Sequence, residues 1–181
     1  ADSYSGLVDG DAATASQITV KQVADAKTVD ALAEALKVNE PDVVACVADS
    51  KADYESKTSL IEKNTGWYGK HEKSLENAVR AVNDSKLEKT VSDAERLLKD
   101  SDGKVADNAT RDALSNAIDA ANGLKDGNDP AKIDGARKTL EDAINGVNAS
   151  VQAKTDADAQ AAAAAAAAAQ AQAQAQSTYS G

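Results

Sequence analysis

The chain has 181 residues, with 30 acidic against 20 basic side chains, a net charge of −10 and a pI near 4.6. That balance disfavours a phosphate-backbone binder, which needs a basic face, and docking to anionic membranes. The 11 Leu, 14 Val and 5 Ile, with no Phe and no Met but 40 Ala, suit thin helical packing rather than a thick globular core.

Residues 1–27 are small and polar with sparse anchors at Ile18, Val20 and Val23, so an irregular N-terminal arm is predicted there. A helical region follows over 28–84. Thr28 is placed to cap a short helix through Val38, and Pro41 fits the first position of a second helix running to about Asn64. That second helix would carry Val43, Val44, Val47, Tyr54 and Ile61 on one stripe, with Cys46 as a small buried hydrophobe among them. As the only cysteine, Cys46 allows no intrachain disulfide. Gly66 and Gly69 bracket Trp67 and Tyr68 as punctuation before a helix over about 70–83.

A three-helix bundle is predicted over 85–151. Ser85 with Glu88 has capping-box spacing for its first helix, a single continuous helix through this point being the alternative. Leu87, Val91, Ala94 and Leu98 set that helix's stripe, and Gly103 supplies a left-handed C-terminus. Thr110 opens the second helix and Gly123 closes it. Asp126-Gly127-Asn128 reads as a turn, and Asp129 caps a third helix with Pro130 at its first position. No stop signal follows. The third helix is expected to run from Pro130 into an Ala/Gln-rich extension over 152–181, with nine alanines at 161–169 and a frayed linker from Ser177. The fold class is therefore all-α.

One nine-residue phrase occurs three times, at Leu75–Asn83, Leu114–Asn122 and Leu140–Asn148. In each copy Leu, Ala, a β-branched residue and a small apolar residue stand at i, i+3, i+4 and i+7, which makes one apolar helical stripe. A phrase repeated in this way points to a repeat architecture. Over residues 87–147 the pattern Leu87-x3-Val91-x2-Ala94-x2-Leu97-Leu98, then Leu114-x2-Ala117-Ile118-x2-Ala121, then Ala131-x-Ile133-Asp134-x-Ala136-x3-Leu140-x2-Ala143-Ile144 resembles the FIVAR family, helical modules of large extracellular proteins of Gram-positive bacteria. The Leu75 phrase is similar to the end of a degenerate upstream module. The resemblance implies stalk, spacer or adhesion units on the cell surface or in the cell wall, secreted and without catalytic residues.

Residues with chemical potential are few. His71 is the single histidine and is expected to be solvated, since a triad or metal site needs partners not found beside it. The acids of 100–107 and 126–129 fit no EF-hand register, and turn and cap roles explain them. No metal, cofactor or enzymatic activity is expected. Trp67 and Tyr68 form the only adjacent aromatic pair, suited to capping a bundle end or to meeting a partner. The expected function is a non-catalytic helical spacer or adhesion module, the alternative being the positioning region of a secreted cell-wall hydrolase whose catalytic domain lies beyond residue 181. The expected partner is a protein or wall polymer met by a helical face, with self-association through the Ala-rich helix as a further route. No nucleic-acid binding or membrane insertion is expected.

Overall fold

The computed structural model describes residues 2–124 and 129–179, with side chains omitted at 177–179. The fold is all-α, with no strand among the described residues. The predicted turn at Asp126–Asn128 lies outside those residues. In chain order come α1 (Asp2–Leu7), a π-helical turn (Val8–Ala12), α2 (Ala13–Ala15), a 3₁₀ turn (Val20–Gln22), α3 (Lys27–Leu36), α4 (Lys51–Asp100), α5 (Ala109–Asn122) and α6 (Pro130–Tyr179). Among the described residues no helix is long and apolar enough to cross a membrane. The chain divides into two compact units. Unit 1 holds residues 1–90 and 125–133, and unit 2 holds 91–124 and 134–181.

In unit 1 the N-terminal segment is helical, contrary to the irregular arm predicted for residues 1–27. Tyr4, Ala12, Ala15, Ile18 and Val23 are buried in one core with Leu32, Leu75, Val79 and Val82. The segment reads as small and polar, but burial of Tyr4 and the alanines overrides that weak local preference. The helix predicted from Pro41 to Asn64 does not start at Pro41. Residues 37–50 are irregular, and α4 begins at Lys51. Its start is set by Ser50, whose Oγ accepts from Asp53 N at 3.1 Å, while Asp53 Oδ2 accepts from Asp49 N at 3.0 Å. This is a capping arrangement that a Ser-x-x-Asp spacing encodes. The Lys57 ammonium, 2.9 Å away, holds the Asp53 carboxyl below its usual range.

Once started, α4 runs for 50 residues through both Gly66 and Gly69 and through the spacing break at Ser85, so the single continuous helix is the arrangement found. Each glycine costs about 1 kcal/mol against alanine in a helix interior. Packing of Trp67 and Tyr68 against the core of unit 1 offsets it.

In unit 2, Val91, Ala94, Val105, Leu114, Ala117, Ile118, Ala121, Leu140 and Val147 are buried. Gly103 takes φ 66° after α4, the left-handed conformation that ends a helix without a Cβ clash. Asp129 Oδ1 accepts from the backbone N–H of Ala131 at 3.1 Å and of Lys132 at 3.2 Å, the predicted cap of α6. From there α6 is continuous to Tyr179, past the point where the linker was predicted to fray, and residues 155–176 are exposed on every side.

Candidate interaction site

Both units are closed by the same device. In unit 1, Val23-Ala24-Asp25 leads into α3, and Ala24 N donates to Ser85 O at 3.0 Å while Asp25 N donates to Ser85 Oγ at 2.8 Å. In unit 2, Val105-Ala106-Asp107 leads into α5, and Ala106 N donates to Ser150 O at 3.0 Å while Asp107 N donates to Ser150 Oγ at 2.9 Å. The aspartate then caps its own helix: Asp25 Oδ1 accepts from Lys27 N at 3.0 Å, and Asp107 Oδ1 accepts from Ala109 N at 2.9 Å. Thr28 Oγ1 and Thr110 Oγ1 each donate to that aspartate's carbonyl at 2.7 Å.

Each serine is buried, at 6% and 7% exposure. The loop residues themselves are exposed and the bonds half-buried, so each serine acceptor contributes about 0.5–1.5 kcal/mol to holding the loop against the helix. Ser85 therefore does not open a new helix, as its spacing with Glu88 suggested. It locks an older one in place.

The geometry exposes a repeat longer than the nine-residue phrase. Val23-Ala-Asp-x2-Thr-x-Asp-Ala-Leu32 matches Val105-Ala-Asp-x2-Thr-x-Asp-Ala-Leu114, and each continues to Ala-Leu or Ala-Ile at Ala35-Leu36 and Ala117-Ile118. Leu75–Ser85 matches Leu140–Ser150 as Leu-Glu-x-Ala-x3-Val-Asn-x-Ser. The Val-Ala-Asp element was legible in the sequence but is short, and it falls where residues 1–27 read as irregular.

Among the described residues, unit 1 alone carries an aromatic cluster. Trp67 and Tyr68 on α4 meet Tyr4 from α1 edge-on, with ring centroids 5.5 and 5.8 Å from Tyr4 and 5.1 Å from each other. His71 stacks on Trp67 at 4.0 Å, and its Nδ1 donates to Trp67 O at 2.8 Å, which places the proton on Nδ1. His71 is thus half-buried and held, not freely solvated as predicted. Tyr68 OH donates to Glu40 Oε2 at 3.1 Å, and Ser3 Oγ donates to Glu72. Burial first, and then the Glu40 carboxylate, raise the Tyr4 and Tyr68 phenols above their ordinary 10.0. Trp67 and Tyr68 are half-buried and pack against the core, so they act as the cap of unit 1 while keeping one side toward solvent.

Of the predicted stripe of Val43, Val44, Val47, Tyr54 and Ile61, Val44 is half-buried and the other four are exposed, at 96%, 74%, 63% and 40% for Val43, Val47, Tyr54 and Ile61. Cys46, expected to be buried, is exposed as well. The reason is the late start of α4: residues 37–50 form a strap, not a helix, and have no apolar stripe to bury. The strap runs antiparallel to α4, tied by Tyr68 to Glu40, by Asn64 Nδ2 donating to Asp42 O at 3.0 Å, and by Lys57 Nζ donating to Val47 O.

Beside Ser85 a groove of about 330 Å³ is lined by Asp25, Thr28, Asp84 and Glu88 among others. Among the described residues no group of His, Cys, Asp and Glu could hold a metal ion. The chain matches no protein-family model, no curated protein and no solved structure.

Proposed function

We propose that this protein is a non-catalytic, extracellular helical spacer or adhesion module of a Gram-positive surface protein, as its resemblance to the FIVAR family implies. The observation that carries the reading is α6. It leaves the Ser150 lock and continues through residues 155–176 with every side chain exposed. At 1.5 Å per residue those 22 residues span about 33 Å. Alanine holds such a helix by propensity once the locked segment has supplied the nucleus. A solvent-exposed helix that holds length suits a spacer. The duplicated locked module supports the same reading, because repeats serve to set reach. Its partner would be a protein or wall polymer, met through Trp67 and Tyr68, whose rings offer rigid contact area.

Spin labels at Thr155→Cys and Gln172→Cys in a Cys46→Ala background test the spacer. One narrow distance of about 26 Å is expected from the helical rise, and a broad distribution contradicts it. Binding to cell-wall fragments or matrix proteins, compared with a Trp67→Ala chain shown to be folded, tests adhesion. Equal binding by the variant removes Trp67 from the contact.

A further inference from the structure

Unit 1 contains an insertion that unit 2 does without. Fourteen residues, 37–50, connect α3 to α4, and 34 residues of α4 precede Ser85. Seven residues, 123–129, connect α5 to α6, and 20 residues of α6 precede Ser150. The serine lock is the same in both, so the module closes without the extra chain.

The large exposed hydrophobics concentrate in that insertion. Of six among the described residues, Val43, Val47, Tyr54, Leu60 and Ile61 lie within it, and Val20 alone lies elsewhere. Scattered exposed apolar side chains need no explanation, but a cluster of this kind marks a contact surface.

The strap at its centre is rich in β-branched residues, Val43-Val44-Ala45-Cys46-Val47. Over residues 39–48 no backbone group pairs with another backbone group, and only the Asp42 and Val47 carbonyls accept from side chains. Apart from Pro41, which has no N–H, these unpaired backbone groups beside exposed Val43 and Val47 offer a template for an added strand.

The charge around the strap selects the occupant. Glu40 and Asp42 stand before the valines and Asp49 after them. The neighbouring cations are already engaged: Lys37 with Glu34, Lys51 with Glu55 and Lys57 with Asp53. A second copy would bring the same acids and a net charge of −10 against them. We infer that the strap of residues 39–48 receives, by strand addition, an extended segment of another protein that is apolar in the middle and basic at both ends. The inference does not depend on the spacer reading, since it concerns residues that play no part in α6 or in either lock.

The single thiol of Cys46 lies within the strap and reports its occupancy. The test uses the full chain and a nine-residue peptide, valine and threonine alternating between two lysines at each end. The expected result is saturable slowing of Cys46 reaction with an aromatic disulfide reagent, weakening as salt rises from about 0.05 to about 0.5 M because the end contacts are ionic. A Val43→Ser/Val47→Ser chain should bind about tenfold more weakly, since it removes only exposed apolar contacts. A Glu40→Gln/Asp42→Asn/Asp49→Asn chain should lose most of the salt dependence. The inference is overturned if the peptide fails to protect Cys46, if a version with glutamates for its lysines protects equally, or if the valine variant binds as well as the parent. It is also overturned if sedimentation shows the strap buried between two copies of the chain.

Discussion

Units 1 and 2 carry the same lock but spend their remaining residues differently. Two positions beside the lock make the contrast concrete. Thr19 and Ser101 begin matching turns, with Gln22 N donating to Thr19 O at 2.9 Å and Lys104 N to Ser101 O at 3.0 Å. One residue further on, unit 1 has Val20, and where α3 has Val29 unit 2 has Arg111 in α5. In unit 2 the pair is ionic: Arg111 Nη1 lies 2.7 Å from Asp102, and Nη2 donates to Leu98 O at 3.1 Å. In unit 1 the corresponding residues are both valines, one exposed and one packed on the core. The module thus fixes a backbone geometry through buried polar groups and tolerates either chemistry around it. What distinguishes unit 1 is an apolar elaboration: the aromatic cap, the strap and the longer run of α4 before Ser85.

The sharpest way to break the comparison is to remove matching core residues. Leu75 and Leu140 are both fully buried, at 0% exposure. Leu75→Ala and Leu140→Ala should each cost about 2–5 kcal/mol in denaturant unfolding. A variant with an unchanged midpoint would remove that helix from the core. Next come the locks. Ser85→Ala and Ser150→Ala each remove the acceptor of a half-buried aspartate N–H bond and should each cost about 0.5–1.5 kcal/mol, with near-equal losses if the two locks are equivalent. A large cost at one and none at the other would separate them.

The units should also differ in salt and alkali. Arg111→Met should lose about 1 kcal/mol, through the Leu98 carbonyl bond more than through the exposed Asp102. Val29→Ala in unit 1 should show no salt dependence at all. Tyr68 has its phenol raised by burial and by Glu40, so the folded state favours the neutral form. Its contribution is complete below the ordinary value of 10.0 and is lost as pH rises through the higher folded value. Reaction of Cys46 should therefore accelerate at that alkaline step as the Glu40 tie to the strap is released, and Tyr68→Phe should remove the step. The smallest effect is a gain. A Cβ at Gly66 or Gly69 meets nothing within 4 Å, so Gly66→Ala or Gly69→Ala should stabilise α4 by about 0.4–1 kcal/mol.

Much of this architecture was legible in the residues. Pro130 behind Asp129, Gly103 after α4 and the apolar periods of α5 and α6 predicted those elements, because strong caps and clear periodicity act locally. Leu87, Val91, Ala94 and Leu98, read as one helical stripe, are buried or half-buried. The rest depended on distant partners. The N-terminal helix exists because Tyr4 finds Trp67 and Tyr68 more than 60 residues away. Pro41 offered a plausible helix start that Ser50 and Asp53 supplied instead, and this one choice exposed Val43, Cys46 and Val47. Ser85 and Ser150 carried no local sign of their role, since a serine on a polar helix face looks the same whether it meets water or a loop. The Trp67–Tyr68 pair was legible as a cap. The strap beside it was not, because it makes no regular structure of its own.

The central claim, that one locked module is present twice, is tested most directly by amide hydrogen exchange at four positions. Ala24, Asp25, Ala106 and Asp107 lie just outside helices, where exchange would be fast without the serines. All four should exchange slowly, Ser85→Ala should release Asp25 while leaving Asp107 protected, and Ser150→Ala should do the reverse. Unprotected exchange at either pair in the parent chain would contradict the duplication of the lock.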